Sequence, residues 1–411
     1  MQTWLMGFNH FFNRKRMGYG LITGGILWLG WLLSIFLGPG NMDLANQVIG
    51  TDYIQFYAAG MTIRLGESEH LYNFEYQASL EKQIIGDELK SFHAFITPPF
   101  FAYLFVPLSL LSYPLSFAVW SVLGLASLYL SIRLLGTSHP YKALIWSLTF
   151  FPVFASISFG QNSLLSLFIL SLSYGLWLKR RPFLAGLACS LLLYKPQLIL
   201  GIAVLWVLEY RRDWKALIGL ALGSLGLATL SFIWLPQASL SYLDFSKNVL
   251  STMMGWEQFP IWHAHTWRAF WYLLLPEHPS FAEIFWVIFA LTGLGSFILF
   301  WRYQRGNFRL IFAAAICLTL WITPHAMIYD WTILLIPAMV LWENYEPLRK
   351  LWKFIFILIW VAFLLGSPLV SLQLKTIPIA LQISLPIFCI ALIITHKALG
   401  HKSITLSDPV Q

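Results

Sequence analysis

Apolar runs long enough to cross a bilayer recur along this chain, separated by short polar breaks. They fall at 17–37, 97–111, 115–135, 142–159 and 163–178, then as a pair of short segments at 183–194 and 196–209, then at 216–235, 281–301, 308–323, 331–342, 351–370 and 377–395. Two long polar segments interrupt them, 38–95 and 236–267. The pattern predicts an all-α polytopic membrane protein of about 11–13 membrane segments, folded as one integral domain over 1–411. Strict alternation of polar and apolar residues, the mark of an outer-membrane barrel, is missing. In 97–111 the prolines Pro98, Pro99 and Pro107 leave two readings open, a crossing or an element that dips in and returns. Tyr53, Phe56, Tyr57, Gly60 and Met61 share one helical face, as expected of a helix lying in the interface. Asn73 is placed to cap a second such helix, with Tyr76, Leu80 and Ile84 on its buried stripe.

Composition supports the same class. Hydrophobic residues make up 58% and charged residues 11%, where soluble domains carry about a quarter charged. The net charge of +8 does not point to nucleic acid, because the bases sit in clusters between apolar runs. Placing Arg14-Lys15-Arg16, Arg133 with Lys142, Lys179-Arg180-Arg181, Arg211-Arg212 with Lys215, Arg302 with Arg305 and Arg309, Arg349-Lys350 with Lys353, and Lys397 with Lys402 in the cytoplasm puts 19 of 26 bases on one side. Segment 38–95, with eight acids and three bases, then faces outward. The expectation is a multi-pass protein of the inner (plasma) membrane with a cytoplasmic N-terminus and an uncleaved first span. Cys189, Cys317 and Cys389 all lie in apolar runs, against a disulfide framework or a zinc site.

Candidate chemistry gathers on the outward side. Asp52 follows the first span and precedes the aromatic helical face; it reads either as a helix N-cap or as a general base. Gly160-Gln161-Asn162, Lys195-Pro196-Gln197 and the stretch from Thr323 through His325, Tyr329 and Asp330 are polar breaks at the same membrane level. Lys195 is costly between apolar segments, and either meets an anion such as a lipid phosphate or snorkels to headgroups. His325 reads as a phosphate or hydroxyl contact, or as a helix-end histidine. Asp330 reads as a site acid or a cap, and Gln161 and Asn162 as hydroxyl binders or helix ties. Arg268 suits a phosphate or a headgroup. His263-Ala264-His265 with Trp256, Trp262 and Trp267 is weak evidence for metal and better evidence for an interfacial belt or sugar stacking. Phosphate-cradling glycine loops, H-E-x-x-H and G-x-S-x-G are absent from the sequence, against ATP-driven work and zinc hydrolysis.

The order of these motifs resembles glycosyltransferase family 87, also described as DUF2029. The likeness rests on Thr51-Asp52-Tyr53-Ile54-Gln55-Phe56-Tyr57-Ala58-Ala59-Gly60, Leu71-Tyr72-Asn73, the run from Thr97-Pro98-Pro99 to Pro107-Leu108, Gly160-Gln161-Asn162, Lys195-Pro196-Gln197, and Pro324-His325 through Asp330-Trp331. It spans about 17–345. The resemblance implies a GT-C-type bundle with its active site on the extracytoplasmic face and a polyprenyl-phosphate sugar as donor. Actinobacterial members include mannosyltransferases that use polyprenyl-phosphate-mannose. Carried over, Asp52 matches the catalytic aspartate and His325 looks like the histidine at the donor phosphate; Lys195, Arg268, Gln161, Asn162, Gln197, Tyr329 and Asp330 are read from the residues themselves as further substrate contacts. No metal or other cofactor is expected, and the partners expected are membrane lipids, the lipid-linked donor and a lipid or glycan acceptor. A transporter or lipid flippase is the competing class, since an intramembrane lysine and broken helices also suit a transport path; no inverted repeat supports it.

Overall fold

The computed structural model describes residues 14–87, 89, 91–249, 252 and 259–400, with backbone alone at 14–16 and 400. Trp256 and Lys402 lie outside the described residues. The protein is an all-α polytopic membrane protein, and its described residues hold two isolated bridges and no longer strand. In chain order the helices are α1 (Arg14–Leu37), α2 (Tyr53–Arg64), α3 (Phe74–Ile85), α4 (Tyr113–Leu134), α5 (Pro140–Thr149), α6 (Phe151–Ser158), α7 (Ser163–Leu178), α8 (Pro182–Ser190), α9 (Leu200–Leu208), α10 (Tyr210–Trp234), α11 (Pro236–Asn248), α12 (Trp267–Leu274), α13 (Pro279–Tyr303), α14 (Phe308–Ile322), α15 (Leu335–Asn344), α16 (Arg349–Leu374) and α17 (Ser384–Gly400). Five are long and apolar enough to cross a membrane alone: α1 from Met17, α4, α10, α13 and α16. The predicted segment at 142–159 is instead a pair, α5 and α6, bent by 76° at Phe150. Five shorter apolar stretches fill out the bundle. Segment 97–111 forms no continuous helix; Pro99–Ala102, Tyr103–Phe105 and Leu108–Leu110 are single turns. The last helix starts at Ser384, later than the apolar pattern suggests.

Small residues set the closest crossings. A Cβ on Gly186 would meet the Ala216 carbonyl oxygen at 1.9 Å, and one on Gly219 would meet that of Phe183 at 2.1 Å, so α8 and α10 touch backbone to backbone. Gly201 of α9 approaches the Ala315 carbonyl of α14 in the same way, at 2.1 Å. The Gly201 N–H also donates to Thr319 Oγ1 at 3.0 Å. These crossings hold the broken pair 182–208 upright, with Lys195 at its tip.

The polar segments fold against each other. Helix α2 is more enclosed than an interface helix needs to be: Tyr53, Ile54, Phe56, Tyr57, Ala58, Ala59, Gly60 and Thr62 are all buried. Gly60 lies against the Phe105 backbone, where a Cβ would clash at 2.5 Å. Asn73 does cap α3, accepting from the Tyr76 N–H at 3.1 Å. The buried stripe of α3, however, is Gln77, Leu80 and Glu81, one position on from the apolar reading. Tyr72 and Phe74 pack on Tyr242 and Phe245 of α11, joining 38–95 to the second polar segment.

Candidate active site

Two glycine turns place the central carboxylate. Gly50 and Gly160 both have positive φ, +66° and +71°, which L side chains resist. Neither has room for a Cβ, which would meet Phe117 at 2.4 Å in the first case and Tyr53 at 2.5 Å in the second. Three aromatic residues of α4 grip the turns. Tyr113 donates to the Ile49 carbonyl at 2.6 Å, Trp120 Nε1 donates to the Gly160 carbonyl at 2.9 Å, and Phe117 fills the space between. The Asp52 N–H then donates to the Phe159 carbonyl at 2.9 Å, drawing the two turns together.

Asp52 stands at the N-cap position of α2, yet its side chain caps nothing. Its carboxylate is turned the other way. Gln161 Nε2 donates to Oδ2 at 2.9 Å, and His93 Nδ1 lies 3.8 Å from Oδ1. Tyr329 is in side-chain contact with the same carboxylate. Asp52 keeps 23% of its side chain exposed, so it remains open to an incoming group.

His93 was not singled out by the sequence, and its placement explains why. It sits in irregular chain that two buried polar residues of α3 pin down. Gln77 Oε1 accepts from the Phe95 N–H at 2.8 Å, and Glu81 Oε2 accepts from the His93 N–H at 3.1 Å. Gln77 and Glu81 gave no advance signal, since the apolar pattern puts the stripe at Tyr76, Leu80 and Ile84. Burial pushes the Glu81 carboxyl up to about 7. For His93, burial opposes protonation, but the hydrogen-bonding and charge of Asp52, aided by Glu81, outweigh it and raise the imidazole above its ordinary value.

A second cluster adjoins the first. Lys195 Nζ pairs with Asp330 Oδ1 at 2.6 Å and donates to Ser163 Oγ at 3.3 Å. Ser163 in turn donates to Asp330 Oδ1 at 2.8 Å, and the Met327 N–H donates to Asp330 Oδ2 at 3.0 Å. Asp330 is therefore both a cap and an ion-pair partner, so Lys195 meets a protein anion. An ammonium has three N–H donors, and two are engaged. Lys195 also lies 5.0 Å from the centre of the Tyr329 ring. Tyr329 thus touches both clusters.

The remaining sequence candidates divide. His325 lies in the 323–327 loop beside Phe259 and senses the charges of Asp330, Lys195 and Arg268. Burial pushes its imidazole down to about 4. Arg268 is bound to Glu283 and lies 5.7 Å from the ring centres of Tyr272 and Trp286. Asn162 is fully buried and neither of its amide atoms has a partner among the described residues. Gln197 is half-buried in the turn after Lys195 and makes no side-chain hydrogen bond among the described residues.

The two histidines of His263-Ala264-His265 part company. His263 ends the 3₁₀ turn Ile261–His263, whereas Ala264 bridges to Met327 and the His265 N–H donates to the Ala326 carbonyl at 2.9 Å, so the two histidines sit on differently shaped backbone. His265 is buried against Phe363 between Ser384 and Ser367. His263 packs on Phe159 and lies within the field of Asp52; its Nδ1 is buried without a partner, and burial lowers its basicity. Trp267 packs inward on Phe289 and Trp321. Among the described residues no three of His, Cys, Asp and Glu are grouped as a metal site.

The arrangement offers a partly open carboxylate beside a cationic cluster, with unsatisfied polar atoms nearby. The sequence profile of glycosyltransferase family 87 matches residues 95–324. The chain belongs to glycosyltransferase family 87. The match takes in Gln161, Lys195 and Arg268 and stops short of Asp52, His325, Tyr329 and Asp330. No curated protein and no solved structure gave a significant match. As a member of family 87, the protein is a membrane glycosyltransferase, and the transport reading gives way to it.

Proposed function

We propose that this family 87 enzyme moves a hexose, mannose in the first instance, from a polyprenyl-phosphate donor to a hydroxyl of a lipid or glycan acceptor. In this reading the site faces the extracytoplasmic side of the inner membrane and the N-terminus is cytoplasmic. Helix polarity supports that orientation: α4 and α7 start at the site and end at Arg133 and at Lys179-Arg180-Arg181, so the basic clusters lie at the far end.

A sugar on a lipid phosphate already carries a good leaving group. The acceptor hydroxyl must lose its proton, approach C1 from behind, and leave the phosphate stabilised. Asp52 takes the proton as general base, a contribution of about 10²–10⁴-fold. Gln161 fixes one carboxylate oxygen, which leaves the other to face the acceptor and His93. The C1–phosphate bond breaks as the new C1–O bond forms, with inversion and no metal ion in the scheme. The departing phosphate meets the free N–H of Lys195 and the His325 ring, with Arg268 as a more distant positive charge. In this scheme sugar hydroxyls supply the partners that Asn162 and His263 lack, and Gln197 is assigned to the same role.

The observation that carries this reading is an N-cap aspartate that declines to cap and turns its carboxylate to Gln161 and His93. The test is sugar transfer from a defined polyprenyl-phosphate hexose by the purified enzyme, with the product's anomeric configuration read by NMR. Retained configuration, or full turnover by Asp52→Asn, overturns it.

A further inference from the structure

A large cavity lies away from the site. About 1840 Å³ of space lies between α1, α5, α13, α14, α15, α16 and α17. Drug-sized ligand pockets are about 300–1,000 Å³, so this volume suits something larger. Its walls are overwhelmingly apolar, with Ala313, Cys317, Ala338, Ile359 and Leu392 among them. It opens outward past Tyr19, Trp146 and Trp342, lining residues that are themselves exposed. Trp321 and Phe388 close it toward the site, and Phe388 packs on Trp331.

The mouth at the basic end carries the opposite character. Lys142, Arg349, Lys353 and Lys397 line it, together with His139 and His396. One acid, Glu343, is present and accepts a hydrogen bond from Ser138 at 2.7 Å. Arg349 is paired with Glu346 at 2.7 Å. Lys142 and Lys397 are exposed and make no ion pair among the described residues. A long apolar cavity with a cationic mouth at one membrane surface has the complement of an anionic head on two acyl chains.

We propose that this cavity holds one anionic two-chain phospholipid, drawn from the leaflet at the basic end. Its phosphate sits among Lys142, Lys353 and Lys397, and its chains fill the space below Trp321 and Phe388. The lipid braces the 328–344 segment from behind, the segment that carries Tyr329 and Asp330 into the site. This is a site separate from the proposed donor and does not depend on the proposed chemistry.

The full-length protein, delipidated in detergent and supplied with phosphatidylglycerol, should retain it in native mass spectrometry and melt several degrees higher. Phosphatidylcholine should be retained at least tenfold less. The double substitution Lys142→Glu with Lys397→Glu should cut phosphatidylglycerol retention at least tenfold. Ala338→Trp, which fills the apolar interior and leaves the mouth intact, should do the same and serves alone if the charge reversal fails to insert. Equal retention of the two lipids, or unchanged retention in Ala338→Trp, overturns the proposal.

Discussion

Helix α7 joins two buried ion pairs that look alike and are built differently. At its C-terminal end Trp177 Nε1 donates to Asp213 Oδ2 at 2.7 Å, while Arg212 pairs with the same oxygen at 2.7 Å and stacks over Phe308 at 3.8 Å. The partners are neighbours in sequence, on regular helix, wrapped in aromatic rings. At the N-terminal end Ser163 joins Lys195 to Asp330, residues 135 positions apart, on turns and 3₁₀ backbone. The first arrangement leaves one buried atom without a partner among the described residues, Arg212 Nη1, and that guanidinium is covered by the Trp177 and Phe308 rings. Around the second, both amide atoms of Asn162 and a ring nitrogen of His263 lack partners among the described residues, and Lys195 has one N–H beyond the two it gives to Asp330 and Ser163. Buried polar groups without partners cost about 1–3 kcal/mol each, which a protein tolerates where a ligand will supply the missing bonds.

The comparison can be broken most sharply at the carboxylates. Asp52→Asn should cut transfer by about 10²–10⁴-fold with a normal melting temperature, as a lost general base would. Asp213→Asn should do the reverse, lowering thermal stability while the residual folded enzyme keeps its turnover. Comparable activity losses in the two variants would remove the distinction. Next in size is Lys195→Met. Breaking one partner of a buried pair costs about 3–5 kcal/mol. The double variant with Asp330→Asn should regain stability but not donor use, measured as KM for the lipid-phosphate sugar. Recovery of both would make the pair structural only.

Smaller effects test the turns and the histidine. Gly160→Ala should cost at least about 1–2 kcal/mol from backbone conformation alone. It should also slow transfer, because Tyr53 and Gln161 must shift together. The mildest effect is on pH. Glu81 is raised from 4.5 to about 7 by burial, so between those values the folded protein binds more protons than the unfolded chain. Stability should therefore fall as pH rises through this window, and the raised His93 adds a loss in the same direction as pH climbs through its folded value. Glu81→Gln should flatten that fall in melting temperature; an unchanged slope would show that Glu81 is not buried as described.

Most of the architecture was legible because bilayer-length apolar runs and basic clusters are long-range statistics that local detail cannot hide. The bend at Phe150 was not, since Phe150-Phe151-Pro152 reads as continuous apolar sequence. At the site, Gln161, Lys195 and Asp330 stand out as polar breaks between apolar segments, and Asp52 by its place just before the aromatic helical face. Which of them touch was not legible, because Lys195 finds Asp330 only through tertiary packing. His93 stayed hidden inside a segment already rich in polar residues, where one more histidine carries no contrast. His263 and His265 look alike in sequence and differ only in what packs on them, Phe159 for the first and Phe363 with two serines for the second.

The spread of the site along the chain bears on biosynthesis. Asp52 is made early and Asp330 late, with most of the bundle threaded between them. Until the ribosome has passed Asp330, Lys195 has no counter-charge and Asp52 has no Tyr329 beside it. A nascent chain at that stage is held in the bilayer with its candidate site unassembled, and the two clusters come together when the segment after α14 docks.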